Sequence, residues 1–385
     1  MSQTILGINP KVLKWARERA KCSLEDVSVK LKKDITTIEK WESGEETPTY
    51  VQLEKLSYEL YKRPIALFFF PEPPEEPDQQ SEFRTLPEFE IENLSSDTLY
   101  ALRQAKAMQL SLKEINDNIN PSEKKIFDDL SISLADNLSN VTQIVRDYLG
   151  IQLDEQLAWR DSDFALKTWR NLIEKSGIFI FKRSFKQKDI SGFCLIDQEF
   201  PIIYLNNSTS KTRQIFTIFH ELAHLLLQTN GITKLDINYI DYLNGENKDI
   251  EIFCNRFASE FLVPSNDFLE SVRQKNIDDD FINNISLRYK VSREVVLRKL
   301  LDTNLISENY YQMKVQSWNE NYEENRKLKK SSGGDYYATQ ATYLGETYLK
   351  LVFRKYYQGR LDIEQLADYL NVKVTNVMNL ERFLF

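Results

Sequence analysis

The hydrophobic positions of this chain follow two periods, and the place where one gives way to the other is its most informative stretch. From about Lys211 to Gln228 the run KTRQIFTIFHELAHLLLQ puts Ile215, Phe216, Ile218, Phe219, Leu222, Ala223, Leu225, Leu226 and Leu227 around most of a helix. A helix apolar over most of its circumference is largely buried. One narrow polar stripe is left, made of Arg213, Thr217, His220, Glu221, His224 and Gln228. Such a stripe inside a buried helix costs free energy unless something satisfies it. Just upstream the period is two. Ile178 to Phe181, Gly192 to Ile196 and Pro201 to Leu205 are short β-rich runs separated by turns. A small sheet packed on the buried helix is expected, with an edge strand able to hold an extended peptide.

Elsewhere the pattern is helical. Pro10 to Ala20 is a first helix; Ser23 caps a second, with Asp26 three residues on, which runs to about Leu31. The turn Lys32-Lys33-Asp34 leads into Ile35 to Ser43, stopped by Gly44, and a fourth helix follows Pro48. Two short helices joined by a tight turn within a small bundle is a helix-turn-helix pattern. After Phe68-Phe69-Phe70, the run PEPPEEPDQQSE has four prolines, five acids and no apolar residue, the composition of a semi-rigid linker. Helical patterns resume over Asp97 to Ile115, Pro121 to Leu149 and Gln156 to Lys175. Asp280 to Leu305 and Asp362 to Phe385 each read as helix pairs, with a Ser331-Ser332-Gly333-Gly334 break between them.

Composition narrows the class. The 385 residues are 42% hydrophobic and 28% charged, an ordinary soluble make-up of two or three domains. The N-terminus has no apolar signal region, and the longest apolar patch, Ile65 to Phe70, is far too short to span a bilayer. Cys22, Cys194 and Cys254 form no CxxC pair and no disulfide framework, so a reducing, cytoplasmic setting without membrane association is expected. Net charge is −8, but residues 1–70 carry 12 Lys/Arg against 10 Asp/Glu, leaving the rest acidic. A slightly basic head on an acidic body fits a nucleic-acid-binding module joined to one that binds none.

The chain has two histidines, His220 and His224, in the run His220-Glu221-Leu222-Ala223-His224. Spacing of four puts both imidazoles on one helix face, with the Glu221 carboxylate beside them, which is what a hydrolytic zinc site needs. The third ligand must then be a carboxylate or a cysteine. Glu251, expected to open a helix, is the best candidate, with Asn255 one turn further on the same face as a supporting contact. Glu246 and Asp249, in a polar loop, and Cys254 are alternatives. A non-ligand Glu beside the first histidine and only three apparent ligands favour catalysis over a structural zinc.

These motifs carry two resemblances. His220-Glu221-Leu222-Ala223-His224, Glu251-x-x-Cys254-Asn255-x-Phe257-Ala258, Leu262-Val263-Pro264, Phe83-Arg84-Thr85-Leu86 and Tyr289-Lys290-Val291-Ser292-Arg293-Glu294 resemble the ImmA/IrrE metallopeptidases over most of residues 83–310. The resemblance implies His220, His224 and Glu251 as Zn2+ ligands and Glu221 as general base. It also implies a protein substrate, because relatives cleave helix-turn-helix repressors of prophage, mobile-element or stress-response genes. Residues 8–70 resemble Xre-type repressor domains through Ser23-Leu24-Glu25-Asp26-Val27, Ile38, Trp41-Glu42-Ser43-Gly44 and Pro48. That implies double-stranded DNA binding, with Ile35, Thr36 and Lys40 facing base edges, Thr37 and Ser43 facing phosphates, and a homodimer through the head as one arrangement. Lys32 takes the turn position where such domains often have glycine, and Glu39, Glu42, Glu45 and Glu46 crowd the same face.

The expected fold is therefore α+β and mainly helical. Residues 1–70 form a helix-turn-helix bundle, 71–95 an acidic Pro-rich linker, and 96–160 a helical region. Residues 161–310 form a zincin-like metallopeptidase domain with a small sheet, and 311–385 a C-terminal helical region. The expected function is a DNA-binding zinc endopeptidase that cleaves a repressor or similar regulator. The alternative is a transcriptional regulator whose metal domain senses a ligand or partner without cleavage.

Overall fold

The computed structural model describes residues 7–76, 94–185, 187, 189–234, 240, 242–273, 275–328 and 335–384. Phe83-Arg84-Thr85-Leu86, the second half of the Pro-rich linker and the Ser331 to Gly334 break lie outside the described residues. The chain divides into two compact units. The first holds residues 7–76 and 94–104 with Phe185 and Gln187, and the second holds the remainder.

In the first unit, α1 (Pro10–Arg19), α2 (Leu24–Leu31), α3 (Ile35–Ser43) and α4 (Tyr50–Lys55) follow one another, and α4 continues as a wider π turn over Leu56–Tyr61. Each boundary has a local cause. Asn9 caps α1, which has proline in its first turn, and Ser23 and Asp26 form the reciprocal capping box expected for α2. Lys32 ends α2 at φ +52, the left-handed residue that the turn requires, and Gly44 ends α3 at φ +84. Val12, Leu13, Ala16, Val27, Ile38, Trp41, Leu53, Leu56 and Phe68 interlock as the core of this unit.

A long helix, α5 (Ser96–Ile115), precedes α6 (Ile126–Asp129), α7 (Leu138–Leu149), α8 (Leu153–Ala158) and α9 (Ser162–Lys175). The single helix expected over Gln156 to Lys175 is in fact the end of α8 and all of α9. Asp161 breaks it, because its side chain accepts from the Phe164 N–H and so starts a new helix. Then come β1 (Phe179–Arg183), β2 (Ile190–Leu195), β3 (Ile202–Asn206), α10 (Lys211–Leu226) and β4 (Gly231–Lys234), the last a strand that the alternation did not reveal. The sheet order is β1-β3-β2-β4. β1 and β3 are parallel, and β2 is antiparallel to both of its neighbours. β4 is thus an edge strand.

The remaining helices are α11 (Gly245–Leu262), α12 (Ser265–Val272), α13 (Asp279–Tyr289), α14 (Arg293–Asp302), α15 (Glu308–Leu328), α16 (Tyr336–Leu344), α17 (Glu346–Tyr357), α18 (Ile363–Leu370) and α19 (Val377–Glu381). The core of the second unit centres on α10. Trp169 meets the Phe219 ring edge-on at 4.9 Å, and Phe219 stacks on Phe261 at 4.1 Å. These contacts clamp α10 between α9 and α11. No helix of the described residues is long and apolar enough to cross a membrane.

Candidate metal centre

α10 starts with Ser210 accepting from the Arg213 N–H, and from Gln214 to Leu226 every side chain except Phe216 is buried. Its buried polar groups therefore need partners, and two neighbours pack against His220, Glu221 and His224. The first is β4. Residues i and i+2 of a strand share a face, and Gly231 and Thr233 both meet α10. A Cβ at Gly231 would lie 2.4 Å from Cδ2 and 2.7 Å from Nε2 of His224, so glycine leaves the room that the imidazole occupies. The Thr233 hydroxyl donates to Oε1 of Glu221.

The second neighbour is α11. Sequence reasoning expected Glu251 to open this helix, with Glu246 and Asp249 in a loop before it. The helix begins at Gly245, so Glu251 lies in its second turn, while Glu246 and Asp249 are exposed and outside the cluster. The polar run Gly-Glu-Asn-Lys-Asp looks like a loop, but an acid in a first turn complements the helix dipole. The far end of α11 is tied down by buried polar groups. Arg146 donates to the Phe261 carbonyl at 2.6 Å, and Gln156 donates to the Leu262 and Tyr289 carbonyls at 2.9 and 3.0 Å.

The two helices bring His220, His224 and Glu251 together, all buried, with one ligand atom of each within 4.8 Å of the others. The Nε2 atoms of the two histidines are 3.1 Å apart. Nε2 of His220 is 3.4 Å from Glu251 Oε2, and Nε2 of His224 is 3.3 Å from Glu251 Oε1. A tetrahedral site with bonds of 2.0–2.1 Å has edges of about 3.3–3.4 Å. The outer nitrogens are engaged as well. His220 Nδ1 lies 3.0 Å from Asn255 Oδ1, and His224 Nδ1 lies 3.1 Å from Thr229 Oγ1. An Nδ1–H donated outward leaves each Nε2 lone pair aimed at the common centre, the usual outer support of a metal-binding histidine. Cys254, the other alternative ligand, is buried but is not part of the cluster.

Electrostatics agree with that geometry. Burial opposes a charge on His224, yet the Cys254 sulfur and the Glu251 carboxylate hold its pKa well above the usual imidazole value. Burial likewise opposes the charge on Glu251, and the two imidazoles overcome it and hold the carboxyl well below its usual range. A site that draws a proton to His224 draws a metal cation in its place. Glu221 is wholly buried, and its Oε2 has no hydrogen-bond partner among the described residues. An unsatisfied buried carboxylate oxygen costs upwards of about 1–3 kcal/mol. The donor set, its spacing and this orphaned oxygen all fit a metal ion with a water beside Glu221. Burial, then the Glu221 charge, pushes the neighbouring Cys194 thiol well above its usual pKa, so it stays neutral.

The head residues form their own set on α3. Thr36, Lys40 and Ser43 are exposed, and Ile35 and Thr37 are half-buried. Lys40 pairs with Glu46 at 2.8 Å, and the Ser43 hydroxyl donates to the Lys40 carbonyl at 3.1 Å. Glu42 is held by two hydrogen bonds from Arg17, at 2.7 and 3.0 Å.

Sequence reasoning missed Thr229, Gly231 and Thr233. The signal available was a glycine in a short β-branched run, Asn230-Gly231-Ile232-Thr233, since a strand glycine often marks close approach of another group.

No curated protein matches the chain. Residues 173–301 match the family model Peptidase_M78, described as the IrrE N-terminal-like domain. The matched segment runs from the end of α9 into α14 and contains His220, Glu221, His224, Glu251 and Asn255. This segment is similar to the ImmA/IrrE metallopeptidases, which supports a metallopeptidase function, a metal cofactor and a protein substrate.

Proposed function

We propose that the chain is a zinc endopeptidase, with residues 161–310 as its catalytic domain, held to DNA by residues 1–70. The observation that carries this reading is the buried His220, His224 and Glu251 cluster with the orphaned Glu221 oxygen beside it. In this reading His220, His224 and Glu251 hold the zinc, and Asn255 and Thr229 hold the two imidazoles in the ligating tautomer. Bound there, zinc lowers the pKa of a water from about 15.7 to about 7 and polarises a peptide carbonyl. Glu221 takes the proton of the attacking water and passes it to the leaving amine. Thr233, through Oε1, orients that carboxylate so that Oε2 faces the reacting water. Edge strand β4 offers backbone groups to an extended substrate. The substrate is a helix-turn-helix repressor or a similar regulator, and the setting is the cytoplasm.

For the head, the helix pair α2 and α3, with a capping box opening α2 and a left-handed Lys32 between the two, supports a helix-turn-helix reading. Ile35 then meets a thymine methyl, Thr36 and Lys40 reach base edges, and Thr37 and Ser43 meet phosphates. The pairing of Glu42 with Arg17 and of Glu46 with Lys40 lowers the repulsion these acids would exert on DNA. Dimerisation through the head completes this reading.

One observation favours the alternative, a sensor that does not cleave. His220, Glu221, His224 and Glu251 are each 0% exposed. One experiment separates the two. The full chain is loaded with zinc and co-expressed with helix-turn-helix proteins encoded beside it, and fragments are sought by mass spectrometry. Peptidase action predicts a single cut that disappears in Glu221→Gln. An uncut repertoire, or equal cutting by Glu221→Gln, rejects it.

A further inference from the structure

A cavity of about 200 Å³ opens among α10, α11 and α14, one helical turn from His220. Its wall is mostly apolar, with Phe216, Ile252, Val295 and Tyr311 among the lining residues. An apolar cavity of about 150 Å³ accepts a benzene-sized molecule, so this one takes a ring-sized group with a few further atoms. Two features add polarity. Ser259 lines the cavity at 8% exposure, and its hydroxyl has no hydrogen-bond partner among the described residues. Arg213, Arg256 and Arg298 also face it, against Glu294 and Asp302. Arg298 pairs with Asp302 at 3.0 Å, and three arginines against two carboxylates leave the lining a surplus positive charge. Arg213 also donates to the Lys234 carbonyl, and Arg256 lies on the same helix as Ser259.

We propose that this cavity binds a small organic acid with a ring-sized apolar body. The body fills the space against Phe216 and Val295. The carboxylate accepts from the Ser259 hydroxyl and meets Arg256, one turn away on α11. An occupant is felt at the metal centre, because Asn255 both lines the cavity and supports His220 through Nδ1. The site does not depend on the peptidase reading, since its binding is measured without turnover.

The test uses the full chain with phenylacetate as the probe and phenylacetamide as its uncharged counterpart, titrated by calorimetry. Phenylacetate is expected to saturate with a Kd of roughly millimolar order, the scale for so small a ligand. Phenylacetamide and the Arg256→Ala variant are each expected to bind roughly tenfold more weakly. Val295→Trp fills the space and is expected to abolish binding. Ser259→Ala removes only an unpartnered hydroxyl, leaves the fold intact and is expected to weaken binding severalfold. Saturating phenylacetate is expected to shift the zinc dissociation constant by roughly fivefold, and an unchanged constant overturns the coupling. Absence of saturable binding, or binding equal in wild type, Val295→Trp and Ser259→Ala, overturns the site. So does a Val295→Trp variant that binds phenylacetate as tightly as wild type, and a change in the bond this variant cuts would reassign the space to a substrate side chain.

Discussion

α10 and α3 are both helices whose polar residues stand out in the sequence, yet they differ in how far those residues can be interpreted. On α10 the middle of the polar stripe, from Thr217 to His224, is buried. His220, Glu221 and His224 each have an identifiable partner on α11, on β4 or at Thr229. On α3 the polar residues Thr36, Lys40 and Ser43 face solvent, and Lys40 already has a local partner in Glu46. Burial makes a polar group costly, so its retention points to a specific purpose. An exposed polar face costs nothing and is compatible with DNA, with protein or with water alone. The difference shows why four residues of α10 and α11 define a chemistry, whereas five residues of α3 define only an opportunity.

Changes at the buried stripe should have the largest effects. Glu221→Gln keeps the shape and is expected to retain metal while lowering cleavage by roughly 10²–10⁴-fold. Parallel loss of metal and activity would mean that Glu221 holds the site together instead. Asn255→Ala removes the partner of His220 Nδ1 and is expected to weaken metal binding by roughly 10–100-fold, read by chelator competition. Gly231→Ala pushes a methyl group into the His224 ring and is expected to cost about 1–3 kcal/mol by denaturant melts. It should also reduce metal affinity, and a normal affinity would show that β4 does not position His224.

The pH response of the metal-free protein sharpens the same point. His224 has a raised pKa, so its contribution is full below the ordinary value of 6.5 and is lost as pH climbs through the raised one. Glu251 has a depressed pKa, so its contribution is full above 4.5 and is lost as pH falls through the depressed one. Melting temperature without metal should therefore be highest between those two values, whereas metal affinity should rise with pH as the proton on His224 is displaced. A metal-free Tm that climbs steadily through neutral pH would contradict the charge arrangement.

At the exposed face the effects should be smaller. Lys40→Ala is expected to weaken DNA binding by about 1–3 kcal/mol, and binding should fall steeply with salt. A head that shows no salt-sensitive binding to its own promoter region would make α3 a protein-docking surface.

Much of this contrast was legible beforehand because it rests on local chemistry. Spacing of four placed His220 and His224 on one face, and the Ser23–Asp26 box placed the start of α2; the left-handed Lys32 followed from the resemblance to repressor domains, which often have glycine at that turn. What was not legible depends on tertiary contact. β4 is four residues long and has no alternation to read, so the partners Thr233 and Thr229 stayed hidden. The polar first turn of α11 hides its start at Gly245, and a continuous apolar pattern hides the break at Asp161. The pairing of Arg17 with Glu42, 25 residues apart, follows from the fold of the head and from no local motif.

Zinc content is the sharpest test of whether the α10–α11 cluster of His220, His224 and Glu251 is a metal site. Purified full-length wild type, Glu221→Gln and the His220→Ala/His224→Ala double variant would be dialysed against zinc and analysed by mass spectrometry of the metal. About one zinc per chain is expected in the first two and near none in the third. Full zinc in the double variant would contradict it.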